Sequence, residues 1–258
     1  MGVVNVTPDS FSDGGRFFEP AAAIAHARQL IEEGADLLDL GAESSRPGAA
    51  AVGAEEELRR LLPVLRGLRD APVPLSVDTI KPEVMRVVLA EGASMINDIS
   101  ALRAPDALAA VAAADAGVCL MHMQGTPGTM QQQPRYGDVV AEVKAFLLER
   151  VEAVRAAGIP LQRLCIDPGF GFGKTLEHNL ELLRRLREFD ALGVPVLVGW
   201  SRKSSLGTIT GKPAGDRLAA SIAAALIAAQ NGAAILRVHD VAATRDALLV
   251  LQAVEKSQ

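Results

Sequence analysis

The chain has 258 residues, 49% of them hydrophobic and only 3% aromatic, with a formal net charge of −5. That length suits one large α/β domain or two small ones and allows a full core, since chains of about 250–300 residues bury roughly three quarters of their extended surface. The acidic balance and absence of a long basic block leave no footprint for a nucleic-acid partner, and no apolar run reaches the roughly 18 residues of a membrane span.

Short β-type runs alternate with longer amphipathic ones. The first strand is read at 2–6, followed by a polar loop, NVTPDSFSDGG (5–15), and a helix over 20–33 that Pro20 opens and Gly34 stops. Strand and helix then pair off at 36–41 and 53–69, 74–78 and 81–91, 94–99 and 105–115, and 117–123 and 138–157. The series continues at 163–168 and 176–190, 195–200 and 214–231, and 234–240 and 241–254. Each strand is dominated by Val, Leu and Ile, as strands buried on both faces are. Glycines at 92, 117, 158, 193 and 232 repeat the stop before a strand. Eight strands in strict alternation with eight helices predict one domain over 1–258, a (β/α)8 TIM barrel. A doubly wound open sheet is the competitor, for which eight units is long. Cys119 and Cys165 lie inside apolar strands without metal-knuckle spacing, so they are expected to be buried, reduced thiols. With no basic-then-apolar leader, a soluble cytoplasmic protein is expected.

In such a barrel the C-terminal strand ends carry the chemistry. Read there in order, the residues are Asn5; Glu43, Ser44, Ser45 and Arg46; Asp78 and Thr79; Asn97 and Asp98; Met121, His122 and Gln124; Asp167; Ser201, Arg202 and Lys203; Arg237, His239 and Asp240. Every strand ends in polar groups, whereas the opposite turns are mostly glycine and a small residue, which predicts an active site on this face. Asp78 and Asp167 need donors if half-buried, and an aminopyrimidine edge supplies them. Asn97 both donates and accepts, as a heterocycle demands. Either carboxylate alone reads equally as a helix N-cap or a structural salt bridge. Lys203, Arg237 and His239 fall after strands seven and eight, where barrels often hold phosphate; a surface ion pair is the other reading of Arg237. GFGFGKT (169–175) lacks the glycine spacing of a P-loop or dinucleotide fingerprint, and its glycines are read as letting backbone pass close to a flat ligand. His122 and His239 have no third ligand spaced for zinc.

Eight blocks together resemble the dihydropteroate synthase family across essentially the whole chain: NVTPDSFSDGG (5–15), ESSRPGA (43–49), SVDTIKPEV (76–84), IND (96–98), LMHMQGTP (120–127), DPGFGFGK (167–174), GWSRKS (199–204) and RVHDV (237–241). Related folate-binding methyltransferase domains share the barrel and its pterin-reading Asp and Asn positions, but not the first loop or the SRK segment. The resemblance implies a transferase that joins 6-hydroxymethyl-7,8-dihydropterin diphosphate to 4-aminobenzoate, giving dihydropteroate and diphosphate, with sulfonamides competing for the aminobenzoate site. It implies that Asp78, Asn97, Asp167 and Lys203 bind the pterin ring, with Met121 and Phe172 lining its slot. Asn5, Arg237 and His239 would face the diphosphate, Asn5 helping to hold Mg2+, which is the implied cofactor. Loops after the first two strands would bring Phe11, Asp13, Ser45, Arg46 and Pro47 around the aminobenzoate, with Lys203 and Ser204 near its carboxylate. Asp78, Asp167, Lys203, Arg46 and Asp13 are the residues implied for catalysis, and a homodimer is implied as the assembly.

This chemistry favours a dissociative displacement, in which charge around the diphosphate stabilises the leaving group and two carboxylates stabilise the pterinylmethyl cation. Thr7 to Gly15 are expected to form a lid, poorly ordered without ligand, with Gly14 and Gly15 giving hinge freedom. Three departures from the family pattern stand out. The first strand begins at Gly2, where the family usually has residues ahead of it, so packing at the barrel bottom is the point to inspect. Ser45 replaces the commoner Thr, keeping a hydroxyl and losing a methyl, which bears on sulfonamide fit. Trp200 stands where a smaller or more flexible residue is common, and no motif accounts for it. The rival functions are a corrinoid-linked methyltetrahydrofolate transferase and a barrel that binds a pterin without catalysis.

Overall fold

The strands are apolar on both faces because each lies between a helix layer and a barrel interior, and parity decides which side chain meets which. The structure, a computed structural model, describes residues 1–7, 20–44 and 51–256. The eight expected strands form as β1 (Gly2–Asn5), β2 (Leu38–Gly41), β3 (Leu75–Asp78), β4 (Met95–Asp98), β5 (Gly117–Met121), β6 (Leu164–Asp167), β7 (Val196–Val198) and β8 (Ala233–Leu236). They lie in one sheet in chain order, each parallel to the next. The sheet closes where Val3 N donates to Val238 O at 3.1 Å and Val238 N donates to Met1 O at 2.9 Å. A closed parallel sheet is a (β/α)8 barrel, and the open-sheet alternative falls away.

Around it run α1 (Pro20–Glu32), α2 (Ala54–Gly67), α3 (Pro82–Ala90), α4 (Ala107–Ala112), α5 (Val139–Ala156), α6 (Leu176–Arg184), α7 (Ser204–Thr210), α8 (Leu218–Gln230) and α9 (Val241–Glu255). One expectation needs correction: the single helix predicted over 214–231 is preceded by a separate short helix, α7. Gly207 and the β-branched Thr208, Ile209 and Thr210 make α7 a weak helix former, which hid it in the sequence. A side chain at Gly207 would meet the Arg217 guanidinium, 2.1 Å from the position of its Cβ. The bare backbone there lets Arg217 donate to Arg202 O at 3.0 Å and pin α7 to the end of β7. Two smaller corrections accompany it. The helix expected to 190 stops at Arg184 and continues as a 3-10 run, Leu186–Leu192. Gly117 opens β5 instead of stopping the helix before it.

Parity sorts the core into two parts. Leu38, Leu40, Val77, Ile96, Leu120 and Ile166 face outward and are buried against the helices in the main core; each such Leu or Ile contributes about 1.5–3 kcal/mol. The alternate residues face inward: Met95, Cys119, Cys165 and Leu197 pack together, joined by Met1, Leu37 and Ile235. Met1 therefore takes part in packing the barrel floor, and its amine donates to Leu236 O at 3.0 Å. Cys119 and Cys165 are register partners, both free and buried. A hydrogen bond between them and burial push the Cys119 thiol up, so it stays protonated. No described helix is long and apolar enough to cross a membrane.

Candidate active site

The inward parity that packs the floor becomes polar one or two residues further along. The register Asn5–Gly41–Asp78–Asn97 runs across β1 to β4 and meets Cys119 on β5; the register partners Met121 and Asp167 of β5 and β6 lie two residues beyond that line, with the same inward parity. The sequence folds so that these inward positions, all at the C-terminal end, converge on one mouth.

On the β3–β4 side the groups are tied through an interior residue that sequence reasoning passed over, Asp39 of β2. Its Oδ2 accepts from Asn97 Nδ2 at 3.0 Å and from Arg237 Nε at 2.6 Å. Arg237 Nη2 also donates to Asp78 Oδ2 at 3.3 Å. Burial, reinforced by the Asp39 charge, pushes the Asp78 carboxyl up to about 7 against the pull of Arg237. Burial opposes the charge on Arg237, but Asp39 and Asp78 more than offset it and raise its pKa.

On the β6–β7 side Asp167 Oδ1 accepts from Gly169 N at 2.7 Å. Burial raises its pKa, while Lys203, the Gly169 N–H and Lys174 act the other way. Lys203 caps α7, yet its ammonium turns back to donate to Phe170 O and lies over the Phe172 ring, 4.5 Å from the centroid. Burial brings this lysine down to about 8. Between the two sides, Met121 and Phe172 pack with Ile99, Met123 and Met130, with Ile80 against them, as an apolar cluster separate from both other cores. A flat ring would find an apolar wall there and polar groups at its edges.

The remaining strand-end residues divide. His239 Nδ1 lies 3.1 Å from Ser201 Oγ, and burial with the nearby Arg237 and Arg202 charges lowers it to about 4, so it is neutral at pH 7. Asn5 is half-buried at the end of β1, and Ser204 is exposed at the start of α7. Others serve the scaffold. Asp98 accepts from Ser100 N at 2.6 Å and Leu102 N at 2.8 Å, which is the turn-capping reading. His122 faces outward, edge-on to Phe146 at 5.0 Å, with Nδ1 2.9 Å from Lys174 Nζ. Burial, then the Lys174 charge, lowers His122 to about 2. Glu43 bonds Lys81, which also holds the fully buried Glu57 at 2.6 Å. Arg202 pairs with Asp240. Phe11, Asp13, Ser45, Arg46 and Pro47, and most of the expected lid, lie outside the described residues.

Two of the GFGFGKT glycines serve a contact within the protein. Gly169 and Gly173 have φ of 74° and 63°, and a Cβ on them would fall 1.9 Å from His122 O and 2.7 Å from Gln124 O. The close approach they permit is to the loop after β5. Lys174 completes this seam, buried, donating to Phe172 O at 3.0 Å and brought down to about 7 by burial. Trp200 also gains an account: it is buried, stacks on Phe170 at 5.1 Å and donates from Nε1 to Ser205 Oγ at 2.6 Å. It thereby joins β7, α7 and the loop after β6. Asp39 and Lys174 left a signal in the sequence: a lone charge inside an apolar strand at the parity of Gly41, and a lysine closing a run of glycines.

Comparison with known proteins agrees with this geometry. Residues 1–239 match the family described as pterin binding enzyme. Escherichia coli K12 dihydropteroate synthase is 50% identical over 254 residues, covering 98% of this chain and 90% of its own. The chain belongs to the dihydropteroate synthase family. The family's solved structures include the Xanthomonas albilineans enzyme with 4-aminobenzoic acid, 58% identical with a TM-score of 0.93 over 98% of this chain and 92% of that one. The same bacterium's enzyme with 7,8-dihydropteroate is 53% identical over the aligned region, with a TM-score of 0.87 over 98% and 91% of the two chains.

Proposed function

We propose that this enzyme joins 6-hydroxymethyl-7,8-dihydropterin diphosphate to 4-aminobenzoate and releases diphosphate. The observation that carries the reading is the mouth: inward Asp78, Asn97 and Asp167, an apolar wall at Met121 and Phe172, and Lys203 over Phe172. It stands in a chain half identical to a dihydropteroate synthase over nearly its whole length, and the X. albilineans relative binds 4-aminobenzoic acid and 7,8-dihydropteroate.

In this reading the pterin lies against Met121 and Phe172, donates ring N–H and amino hydrogens to Asp78, Asn97 and Asp167, and accepts from Lys203. Arg237, with donors left after Asp39 and Asp78, faces the diphosphate together with His239 and Asn5. The bond from the pterin methylene carbon to the diphosphate oxygen breaks first, and its electron pair leaves with the diphosphate. Cations around that group stabilise the departing charge. The carbon cation is conjugated with the ring and held beside the Asp78 and Asp167 carboxylates. The arylamine lone pair then forms the C–N bond, and the nitrogen gives up a proton to the released diphosphate or to solvent. No side chain acts as nucleophile. Lys203 and Ser204 face the aminobenzoate carboxylate in this reading; Phe11, Asp13, Ser45, Arg46 and Pro47, which the family resemblance assigns to the aminobenzoate, lie outside the described residues.

Asn5 suits Mg2+ as a single modest ligand, an amide oxygen half-buried at a strand end. Among the described residues no group of three His, Cys, Asp or Glu could hold a metal by itself, which fits an ion that takes most of its ligands from phosphate and water. When bound, Mg2+ supplies positive charge to the leaving diphosphate. The reading places the enzyme in the cytoplasm as a homodimer. Leu218 and Ile227 on α8 and Leu249, Val250 and Val254 on α9 are exposed apolar side chains on neighbouring helices, a patch that a second copy would cover.

The test is mass spectrometry of the product with each substrate omitted in turn. Dihydropteroate appearing only when both are present supports the synthase. No product from these two substrates, but methyl transfer when methyltetrahydrofolate and a corrinoid are supplied instead, points to the methyltransferase, and no product in any mixture points to a pterin binder.

A further inference from the structure

The barrel floor is apolar all round, with Met95, Cys119, Cys165 and Leu197 packed against Met1, Leu37 and Ile235. Two residues beyond Leu37, β2 places a charge inside the barrel, Asp39, fully buried. A buried carboxylate is costly in a packed interior, and an apolar residue of similar shape is often as stable or more so. Stability alone therefore gives poor reason for Asp39.

Its bonds suggest another reason. A single oxygen, Oδ2, accepts from Asn97 Nδ2 and from Arg237 Nε, at 3.0 and 2.6 Å. Its other oxygen, Oδ1, has no hydrogen-bond partner among the described residues, and neither does Ser76 Oγ, at the register-partner position on β3. The carboxylate is thus placed for the two groups it holds rather than for its own satisfaction. Turning the Asn97 amide over would set its oxygen against the Asp39 carboxylate, so the nitrogen is fixed on Asp39 and Oδ1 is free for the mouth. Arg237 is fixed in the same way, with Nε on Asp39 and Nη2 reaching Asp78.

We propose that Asp39 is a positioning residue for ligand recognition at the mouth: it sets Asn97 to present its oxygen as an acceptor and holds Arg237 between itself and Asp78. This rests on reading the mouth as a pterin site. Asp39 touches no reacting atom; it acts through Asn97 and Arg237.

The test combines direct binding of 6-hydroxymethylpterin by titration calorimetry with steady-state kinetics and thermal melting of the full chain. Asp39→Asn keeps the shape but removes the charge and lets the amide turn either way. It is expected to weaken pterin binding about 10- to 100-fold while the KM for 4-aminobenzoate moves less than about threefold. Asp39→Leu, an apolar filler, is expected to lose pterin affinity at least as far while melting no lower than Asp39→Asn. Added to Asn97→Ala, Asp39→Asn is expected to cost clearly less than it does alone, because the group it positions is gone. Should Asp39→Leu fail to fold, the Asn variant and the double variant decide. Wild-type-like pterin binding by Asp39→Asn, equal losses toward both substrates, or fully additive losses in the double variant would each overturn the proposal. If the wild type itself binds no hydroxymethylpterin, the pterin reading fails and takes this proposal with it. If the wild type binds and only the Asp39 variants behave as wild type, the positioning role alone is lost.

Discussion

Asp78 and Asp167 both end inward strands of the same barrel, and they keep opposite company. Asp78 stands near a second carboxylate, Asp39, and the two share one guanidinium from Arg237. Asp167 has the reverse arrangement, one carboxylate under the influence of two ammonium groups, Lys203 and Lys174, with the Gly169 N–H as its direct donor. Burial raises both carboxyls, but on the β3 side the neighbouring charge adds to burial and on the β6 side the neighbours oppose it. The carboxylates of Asp39 and Asp78 thus gather at Arg237 on one side, and the ammonium of Lys203 stands with Asp167 on the other. A ligand that presents donors and acceptors at different edges of a flat ring meets both signs at once.

The comparison breaks most sharply by removing each carboxyl charge in turn. Asp167→Asn leaves the buried Lys174 and the half-buried Lys203 without their anion, and kcat/KM is expected to fall about 10²–10⁴-fold. Asp78→Asn leaves Arg237 paired with Asp39, so the expected loss is smaller, about 10–10²-fold. Steady-state kinetics with both substrates reads the difference. Equal losses would show that the two sides are not distinct. Unchanged turnover in Asp167→Asn with pterin binding intact would remove that carboxylate from the proposed chemistry.

Titration sharpens the same contrast. A pterin that donates to Asp78 needs the ionised carboxylate, which forms as pH rises through about 7. A pterin that accepts from Lys203 needs the ammonium, which is lost as pH rises through about 8. The expected kcat/KM profile of the free enzyme is therefore a narrow bell between these values. Lys203→Arg should extend the alkaline limb, since a guanidinium stays protonated throughout, and Asp78→Asn should remove the acid limb from the residual activity. A profile flat from pH 6 to 9 would mean that neither group titrates in the functional range.

The seam behind Asp167 gives a stability test. His122 drops from its usual 6.5 to about 2, so below pH 6.5 the unfolded chain binds a proton that the folded one refuses. Stability contributed by the neutral imidazole is full above 6.5 and is lost as pH falls toward 2. Lys174, brought from 10.5 to about 7, has the same sign at higher pH, and its contribution rises as pH goes from 7 toward 10.5. The raised carboxyls of Asp78 and Asp98 act with the opposite sign in this window, so the readout is the difference: between pH 7 and 5 the wild-type melting temperature should fall relative to that of His122→Gln. An equal fall in the variant would place the acid sensitivity elsewhere.

Much of this was legible in the sequence for a simple reason: buried parallel strands separated by glycine stops write their period and boundaries in one dimension. Strand ends were equally legible as polar residues, but a strand end does not say which way its side chain points. Asp78 and Asp98 illustrate this. Both follow apolar runs, yet Asp78 points into the barrel while Asp98 caps a turn. Asp39 was hidden because its partners, Asn97 and Arg237, are 58 and 198 residues away in the chain. The extra helix α7 was hidden because it is held by Arg217 and Trp200 more than by its own propensity.

The smallest effect tests whether the Lys203 side depends on that outer support. Trp200→Phe keeps an aromatic ring to stack on Phe170 and removes only the Nε1 donor to Ser205 Oγ. Losing one buried hydrogen bond costs about 1 kcal/mol, a fall of about 2–4 °C in melting temperature for a chain of this size. Ser205 lies two residues beyond Lys203 and is buried, while Lys203 is fixed separately by Phe170 O and the Phe172 face. The KM for the pterin substrate should therefore stay within about twofold despite the lower melting point. A large rise in that KM would mean that Lys203 owes its position to the Trp200 bond, and that the cationic side of the mouth is the less rigid of the two.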